Sequence, residues 1–247
     1  MGTPTRIQIC GRVVVTLDDR RVETELPGRQ GRLLFVYLVV NRLRTASRAE
    51  LEGALWPERV PARADSALSA LLSKLRRVLG AERLEGRSEL RLVLPDDTWI
   101  DLEIAAAALH RAEAALARQA WADAWGPGRV AQHIARRPFL TGEGAPWITD
   151  VRDRLEGIYL RSLESVSEAC LALGGTEIDT AERTARTLVK HAPYRESGYR
   201  YLMRVLALRG SSGEGLRVYD ALRILLRDEL GTAPSPATQE LHRQLLG

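Results

Sequence analysis

Cationic and hydroxyl side chains share one face of residues 65–80, a segment with the pattern of an amphipathic helix. The other face is apolar, because Leu68, Leu72 and Leu75 recur at helical spacing. Short hydroxyls let a helix approach a DNA groove closely, and long cationic side chains reach phosphates. The residues that we predict to contact DNA here are Arg63, Ser66, Ser69, Ser73, Lys74 and Arg77. An ordinary solvated helix has a similar pattern, so that alternative stays open on this segment alone.

Further arginines stand where a phosphate is readily bound. Arg29 and Arg32 begin a predicted helix, and Arg44 and Arg48 lie in or beside the loop before the next one. Backbone amides at a helix start and guanidinium groups together hold phosphate. Arg87 lies at the turn of a predicted hairpin. If about six of these cations meet phosphates, affinity for DNA falls with salt at a log–log slope of roughly −5.

The first 95 residues contain the elements of a winged helix. Apolar residues alternate in short strands, with Asp18 and Asp19 as turn residues. Ser47 and Glu50 have capping-box spacing at the start of a short helix, and Gly80 ends the next one. We predict strands at 7–10, 13–17 and 22–26, helices at 29–43, 47–55 and 65–80, and a hairpin at 83–94. In such a fold the third helix enters the major groove and the hairpin lies along the backbone or a minor groove.

Residues 96–247 have a continuous helical pattern and form the second predicted domain. Two of its segments resemble each other at a spacing of 34 residues, which is the tetratricopeptide period. The matched positions are Ala181 with Gly215, Ala185 with Tyr219, and Leu188 with Leu222. The sequence therefore predicts a mainly α protein, in which a winged helix (1–95) precedes tetratricopeptide-like helical hairpins (96–247).

Three arginines of the helical half recur at roughly one turn per step. Arg195, Arg200 and Arg204 would present a cationic stripe to a phosphate-bearing ligand or an acidic partner. The favoured alternative is a solvated face that pairs with Glu196 and its neighbours. The tryptophans and tyrosines of this half are at helical spacing, which favours packing over a ligand cage.

Length and charge agree with this division. A chain of 247 residues is long enough for two modest cores. Residues 1–95 contain 17 Lys and Arg against 11 Asp and Glu, whereas residues 96–247 contain 19 against 21. The first half therefore suits a polyanionic partner. Cys10 and Cys170 fall in apolar patterns, so we expect buried free thiols and no bridge.

Several classes of protein are disfavoured. No apolar run is long enough to span a membrane, and the N-terminus lacks the apolar core of a secretory signal, so we expect a cytoplasmic protein without membrane contact. The four histidines have no metal-ligand spacing, and no glycine-rich phosphate loop with its lysine is present. We therefore expect no metal, no cofactor and no enzymatic activity.

The order of elements and several motifs resemble the Streptomyces antibiotic regulatory protein (SARP) type of activator. The motifs are GRQGRLLFVYLVVNR, SRAELEGALWP, SALSALLSKLRRVLG, PYRESGYRYLMRVLALRG and RDELGTAPSP. The most specific parts are Leu55-Trp56-Pro57 and residues 72–77. The resemblance covers nearly the whole chain. It implies a winged helix followed by a bacterial transcriptional activator domain, binding to direct promoter repeats in double-stranded DNA, and recruitment of RNA polymerase. Direct repeats favour a head-to-tail pair on DNA over a two-fold dimer.

Two departures from this pattern keep alternatives open. Family members carry an asparagine and bulkier polar residues on the exposed face of the third helix, where this chain has Ser66, Ser69, Ala70 and Ser73. Serine contacts any base, so base discrimination would need help from elsewhere. We also expect this protein to lack the ATPase or sensor modules of larger relatives. The alternatives are an interaction adaptor with a degenerate winged helix, and a regulator whose helical half binds a small effector.

Overall fold

The computed structural model describes residues 5–247, which fold into two compact units. The first unit extends to Ile104 and includes Arg137–Leu155; the second comprises Ala105–Arg136 and Glu156–Gly247. The predicted mainly α fold, with small sheets at the N-terminal end, is confirmed. We predicted a domain boundary after Pro95, that is, that residues 1–95 fold independently of the rest. This boundary stays a prediction. Residues 1–4 begin the N-terminal segment that we predicted to lack the apolar core of a secretory signal, and they lie outside the described residues.

A four-stranded sheet opens the first unit, in the order β3-β2-β1-β7. Its strands are β1 (Arg6–Gln8), β2 (Val14–Leu17), β3 (Arg20–Arg21) and β7 (Trp99–Ile100). β7 runs parallel to β1 and was not predicted. The third strand was predicted at 22–26, and that prediction is wrong. Asp18 and Asp19 adopt positive φ in a tight turn, so β3 begins directly after the turn, at Arg20. The strand does not continue to residue 26, and the Val15 N–H donates to the Glu23 carboxylate at 3.3 Å.

Three helices and a hairpin complete the winged helix. They are α1 (Gly28–Val40), α2 (Arg48–Leu55), α3 (Ala64–Leu79), and a sheet of β4 (Ala46–Ser47), β5 (Leu84–Glu85) and β6 (Glu89–Leu92) in the order β4-β6-β5. Ser47 caps α2 by accepting from the Glu50 N–H. Gly80 follows α3 at φ 101°, and Gly86 forms the hairpin turn at φ 87°. Both positive-φ positions suit glycine, which has no Cβ. The predicted helices and hairpin are confirmed.

Residues beyond the predicted winged helix complete the core of the first unit. Asp101 is fully buried, and its carboxylate accepts from the backbone N–H groups of Ile9, Cys10 and Leu102. Trp147 lies edge-on to Tyr37, and its indole N–H donates to the Ala54 carbonyl at 3.1 Å. The core of the first unit thus includes side chains whose hydrogen-bond partners lie up to 93 positions away in sequence.

The second unit consists of helical hairpins. The helices that contribute to it are α4 (Asp101–Ala117), α5 (Trp121–Ala135), α6 (Pro146–Leu173), α7 (Ile178–His191), α8 (Glu196–Leu208), α9 (Ser212–Leu230) and α10 (Pro236–Leu246). All six residues matched at the 34-residue spacing are buried, and Val166, Cys170, Ala181 and Val205 pack in one cluster. The predicted tetratricopeptide-like packing is confirmed. Within residues 5–247 no helix is long and apolar enough to cross a bilayer.

Candidate nucleic-acid interface

Helix α3 has two well separated faces. Leu68, Leu72, Leu75 and Leu79 are buried and attach it to the core of the first unit. The opposite face is exposed and consists of Ser66, Ser69, Ala70, Ser73, Lys74 and Arg77. Because no large apolar or acidic side chain interrupts the middle of this face, α3 offers close approach and positive charge along two turns.

Several cations of this region have no internal partner. The exposed side chains of Arg63, Lys74, Arg77 and the wing residues Arg87 and Arg91 form no hydrogen bond or ion pair with any residue between 5 and 247. Arg63 precedes the first turn of α3, and Arg87 lies at the turn of the wing. A guanidinium without a protein partner keeps all its donors available for an external anion.

The wing and α3 are joined by Arg76. Its guanidinium donates to the carbonyl of Leu84 at 3.2 Å and to that of Gly86 at 2.6 Å. This arginine therefore contributes to the fold, whereas its neighbour Arg77 points to solvent without a partner among the described residues. The free cations of α3 and those of the wing are consequently carried by one connected element.

Two arginines, Arg20 and the hairpin residue Arg83, cover the end of α3. Arg20 donates to the carbonyl of Val78, and Arg83 donates to that of Leu79 at 2.8 Å and to the Asp18 carboxylate. The last carbonyls of a helix lack intrahelical donors and carry partial negative charge, so cations stabilise them. For Arg83 the sequence signal is a basic residue just past the helix end, whereas Arg20 lies 58 positions before Val78 and has no such signal.

Arg48 connects the starts of α2 and α3. It donates to the Asp65 carboxylate at 2.9 Å, to the Asp65 carbonyl at 3.1 Å and to the Ser69 hydroxyl at 2.7 Å. One lone pair of Ser69 is thereby used inside the protein, while its hydroxyl hydrogen can still be donated. Of the predicted contact residues, Arg48 is thus the one that positions the others.

Two more predicted phosphate contacts are neutralised by glutamates. Arg44 forms an ion pair with Glu50, which also accepts from the Tyr37 hydroxyl, and the Arg44 pair holds the pKa of Glu50 below its ordinary value. Among the described residues, the Glu50 carboxylate accepts from Arg44 and Tyr37 and has no hydrogen bond with the Ser47 N–H, so only the Ser47 half of the capping box forms. Arg29 donates to Glu143 in a two-bond arrangement, with Nε to Oε1 at 2.7 Å. An arginine that is already paired with a carboxylate contributes less to the binding of a phosphate.

Arg32 differs from Arg29 although both lie in the first turns of α1. Its exposed side chain has no hydrogen bond or ion pair within the described part of the chain. Two groups of predicted cations result. Arg29, Arg44 and Arg48 have protein partners, and the cations without a partner among residues 5–247 are Arg32, Arg63, Lys74, Arg77 and Arg87.

The three arginines predicted as a stripe in the helical unit do not form one site. Arg195 pairs with Glu164 at 3.3 Å. Arg200 donates to the Thr238 hydroxyl at 3.1 Å and lies 3.9 Å from Glu196. Arg204 is exposed and has no partner among residues 5–247. The pairing with Glu196 that the sequence favoured thus applies to Arg200.

Comparison with known proteins places this geometry in a family. The model of the bacterial transcriptional activator domain matches residues 100–246. The chain belongs to that family. Because a winged helix precedes the activator domain, the protein has the build of the SARP type, as the sequence motifs implied.

Named relatives of this family are regulatory proteins. The regulatory protein AfsR of Streptomyces coelicolor is 32% identical over 98% of this chain, and AfsR of Streptomyces griseus is 31% identical over 88%. The transcriptional regulatory protein EmbR of Mycobacterium tuberculosis is 27% identical over 96%. This chain spans 24% of the coelicolor AfsR, 22% of the griseus AfsR and 62% of EmbR.

A solved structure has the same fold. Mycobacterium tuberculosis EmbR in complex with a low affinity phosphopeptide matches 98% of this chain with a TM-score of 0.85, at 23% identity. This chain corresponds to 65% of that EmbR chain. The likeness supports the arrangement of a winged helix followed by helical hairpins in this family member.

Proposed function

We propose that this protein is a sequence-specific DNA-binding transcriptional activator that acts in the cytoplasm. The observation that carries the proposal is the set of partnerless cations on the exposed face of α3, on the wing and at Arg32, beside short hydroxyls that permit close approach. The family's named relatives are transcriptional regulators, which supports the same function.

In the proposed complex α3 enters the major groove and the wing follows the backbone. Ser66 and Ser73 approach base edges, while Lys74, Arg77 and Arg87 contact phosphates. Arg48 keeps α2 and α3 in register and orients Ser69. Arg29 and Arg44, which have glutamate partners, contribute less than the sequence suggested.

Serines discriminate weakly between bases, so specificity requires more than one copy of α3 on the DNA. We propose that two chains bind a direct repeat head to tail, which doubles the number of bases read. The bound pair then recruits RNA polymerase through exposed surface. A few kcal/mol of favourable contact with the polymerase is sufficient to raise its occupancy of the promoter, since about 1.4 kcal/mol changes the binding constant tenfold.

The test is selection of fragments from a random duplex library with the full chain, followed by salt titrations on the best fragment and on a scrambled duplex. We expect a recurring direct repeat that binds about a thousandfold more tightly than the scrambled duplex. Arg63→Ala, Lys74→Ala and Arg77→Ala combined should reduce the slope of log affinity against log salt by about 2.7.

The matched control carries Arg217→Ala, Arg223→Ala and Arg243→Ala, three exposed arginines of the helical unit, and loses the same total charge. It should bind like the wild type if the contacts are local to α3. Equal binding of repeat and scrambled DNA would refute sequence-specific reading. No binding to either would favour the adaptor alternative.

A further inference from the structure

A cavity of about 490 Å³ lies within the helical unit. It is lined by Trp121, Glu168, Tyr201, Arg204, Leu241 and Leu245, among others. Its volume falls in the range of roughly 300–1,000 Å³ that small-molecule sites occupy. Aromatic and leucine side chains form its walls, so an apolar ligand body would be removed from water there.

The polar groups of the cavity are few and unequal. The Tyr201 hydroxyl donates to the Glu168 carboxylate at 3.3 Å, and burial, followed by the charges of Glu168 and Glu164, raises the pKa of Tyr201. This hydroxyl therefore stays protonated and neutral, and it occupies one oxygen of Glu168. Arg204 lies one turn further along α8 and has no partner within residues 5–247.

Arg204 is unusual among the arginines of α8 and its N-cap. Arg195 pairs with Glu164 and Arg200 lies beside Glu196, so their charges are satisfied by the protein. A planar guanidinium without a partner at the mouth of an apolar cavity matches a carboxylate, which it binds through two parallel hydrogen bonds. Glu168, the other charged residue of the lining, accepts from the Tyr201 hydroxyl, so Arg204 is the lining charge that has no partner among residues 5–247.

We propose that this cavity binds a small aromatic monocarboxylate. The ring of the ligand packs against Trp121, Leu241 and Leu245, and its carboxylate pairs with Arg204. The Tyr201–Glu168 pair also lines the cavity, and the Glu168 carboxylate disfavours a second negative group on the ligand. No residue of α3 or the wing lines the cavity, so binding of the ligand can be measured without DNA.

The test is isothermal titration of the full chain with 2-naphthoate and with 2-naphthamide, which has the same ring and nearly the same shape without the charge. We expect the acid to bind at least tenfold more tightly than the amide. Arg204→Gln should abolish that preference and leave the weak binding of the amide. Arg217→Gln, which removes an exposed arginine from α9, should leave the preference unchanged.

A second variant tests the location without touching the charge. Ala172 lines the same cavity and is exposed, so Ala172→Trp fills the space without disturbing the core. It should weaken both ligands at least tenfold. The proposal is overturned if neither compound binds at millimolar concentration, if acid and amide bind equally, if the preference survives Arg204→Gln, or if Ala172→Trp has no effect.

Discussion

The exposed face of α3 and the helical unit differ in whether their charged side chains are paired. On α3 and the wing, Lys74, Arg77 and Arg87 have no partner among the described residues. In the helical unit five arginines illustrate the opposite case, because each forms an ion pair with a carboxylate. The pairs are Arg161 with Glu113, Arg186 with Glu182, Arg195 with Glu164, Arg209 with Asp179, and Arg243 with Glu240.

This difference separates charges that serve the fold from charges available to a partner. An exposed ion pair contributes only about 0–1 kcal/mol, but a buried or multiply bonded charge is costly to remove. A lone exposed cation contributes almost nothing to stability, so its removal affects binding alone. Comparing partnered and partnerless residues by mutation tests this division directly.

The largest effect on stability is expected at Asp101, the most completely partnered charge of the first unit. Asp101→Ala leaves the buried N–H groups of Ile9, Cys10 and Leu102 without an acceptor, at about 1 kcal/mol or more each. Burial raises the pKa of Asp101, so its carboxylate carries a cost of its own that partly offsets this loss. We expect a net loss of about 3 kcal/mol in urea unfolding followed by circular dichroism.

Asp97→Ala is the matched control, because Asp97 is exposed and has no hydrogen bond or ion pair within the described chain. It should change the free energy of unfolding by less than about 0.5 kcal/mol. Equal effects of the two substitutions would mean that the three backbone donors find other acceptors when Asp101 is absent.

Neighbouring arginines of α3 sharpen the comparison. Arg76→Ala removes hydrogen bonds to the Leu84 and Gly86 carbonyls and should cost about 1–2 kcal/mol of stability. The slope of log DNA affinity against log salt should not change in this variant, because the Arg76 guanidinium faces the wing. Arg77→Ala should leave stability within about 0.5 kcal/mol and reduce the salt slope by about 0.9. Urea unfolding and salt titration of both variants measure the two quantities.

The opposite outcome for the two variants would contradict these assignments. If Arg76→Ala reduced the salt slope and Arg77→Ala did not, Arg76 would be the phosphate contact. The hydrogen bonds that it makes to the wing would then be given up when DNA binds.

Local patterns in the sequence were sufficient for the elements and faces of the site. The apolar spacing of α3 identified the buried leucines, and the serine and lysine positions between them are exposed as predicted. Ser47 caps α2, as its spacing from Glu50 predicted. These features depend on residues within a few turns of one another, which is the range that periodicity reports.

Features that depend on distant residues were not predictable in this way. Arg29 is paired by Glu143, which lies 114 positions away, and β7 joins β1 across the whole winged helix. No spacing rule connects such positions, because only the folded chain brings them together. The same holds for Arg48, whose partner Asp65 looked like an ordinary first-turn residue of α3.

The smallest expected effect concerns acid sensitivity at Glu196 in the helical unit. Burial favours its protonated form, but hydrogen bonds from Thr238 and Ser235 outweigh this and hold its pKa below the ordinary value. A carboxyl group with a lowered folded-state pKa stabilises the protein above its unfolded-state pKa, and this stabilisation is lost as pH falls through the folded value.

Glu196→Gln should therefore lose about 1 kcal/mol at pH 7 and differ little from the wild type at the acidic end of the range over which the protein stays folded. Urea midpoints measured from pH 7 down through pH 4 give the difference between the two proteins. Glu240→Gln removes an exposed carboxylate that pairs with Arg243 and should show no such convergence. A constant difference between Glu196→Gln and wild type at every pH would mean that Glu196 acts through packing, and that its charge is not what holds Ser235 and Thr238 at the start of α10.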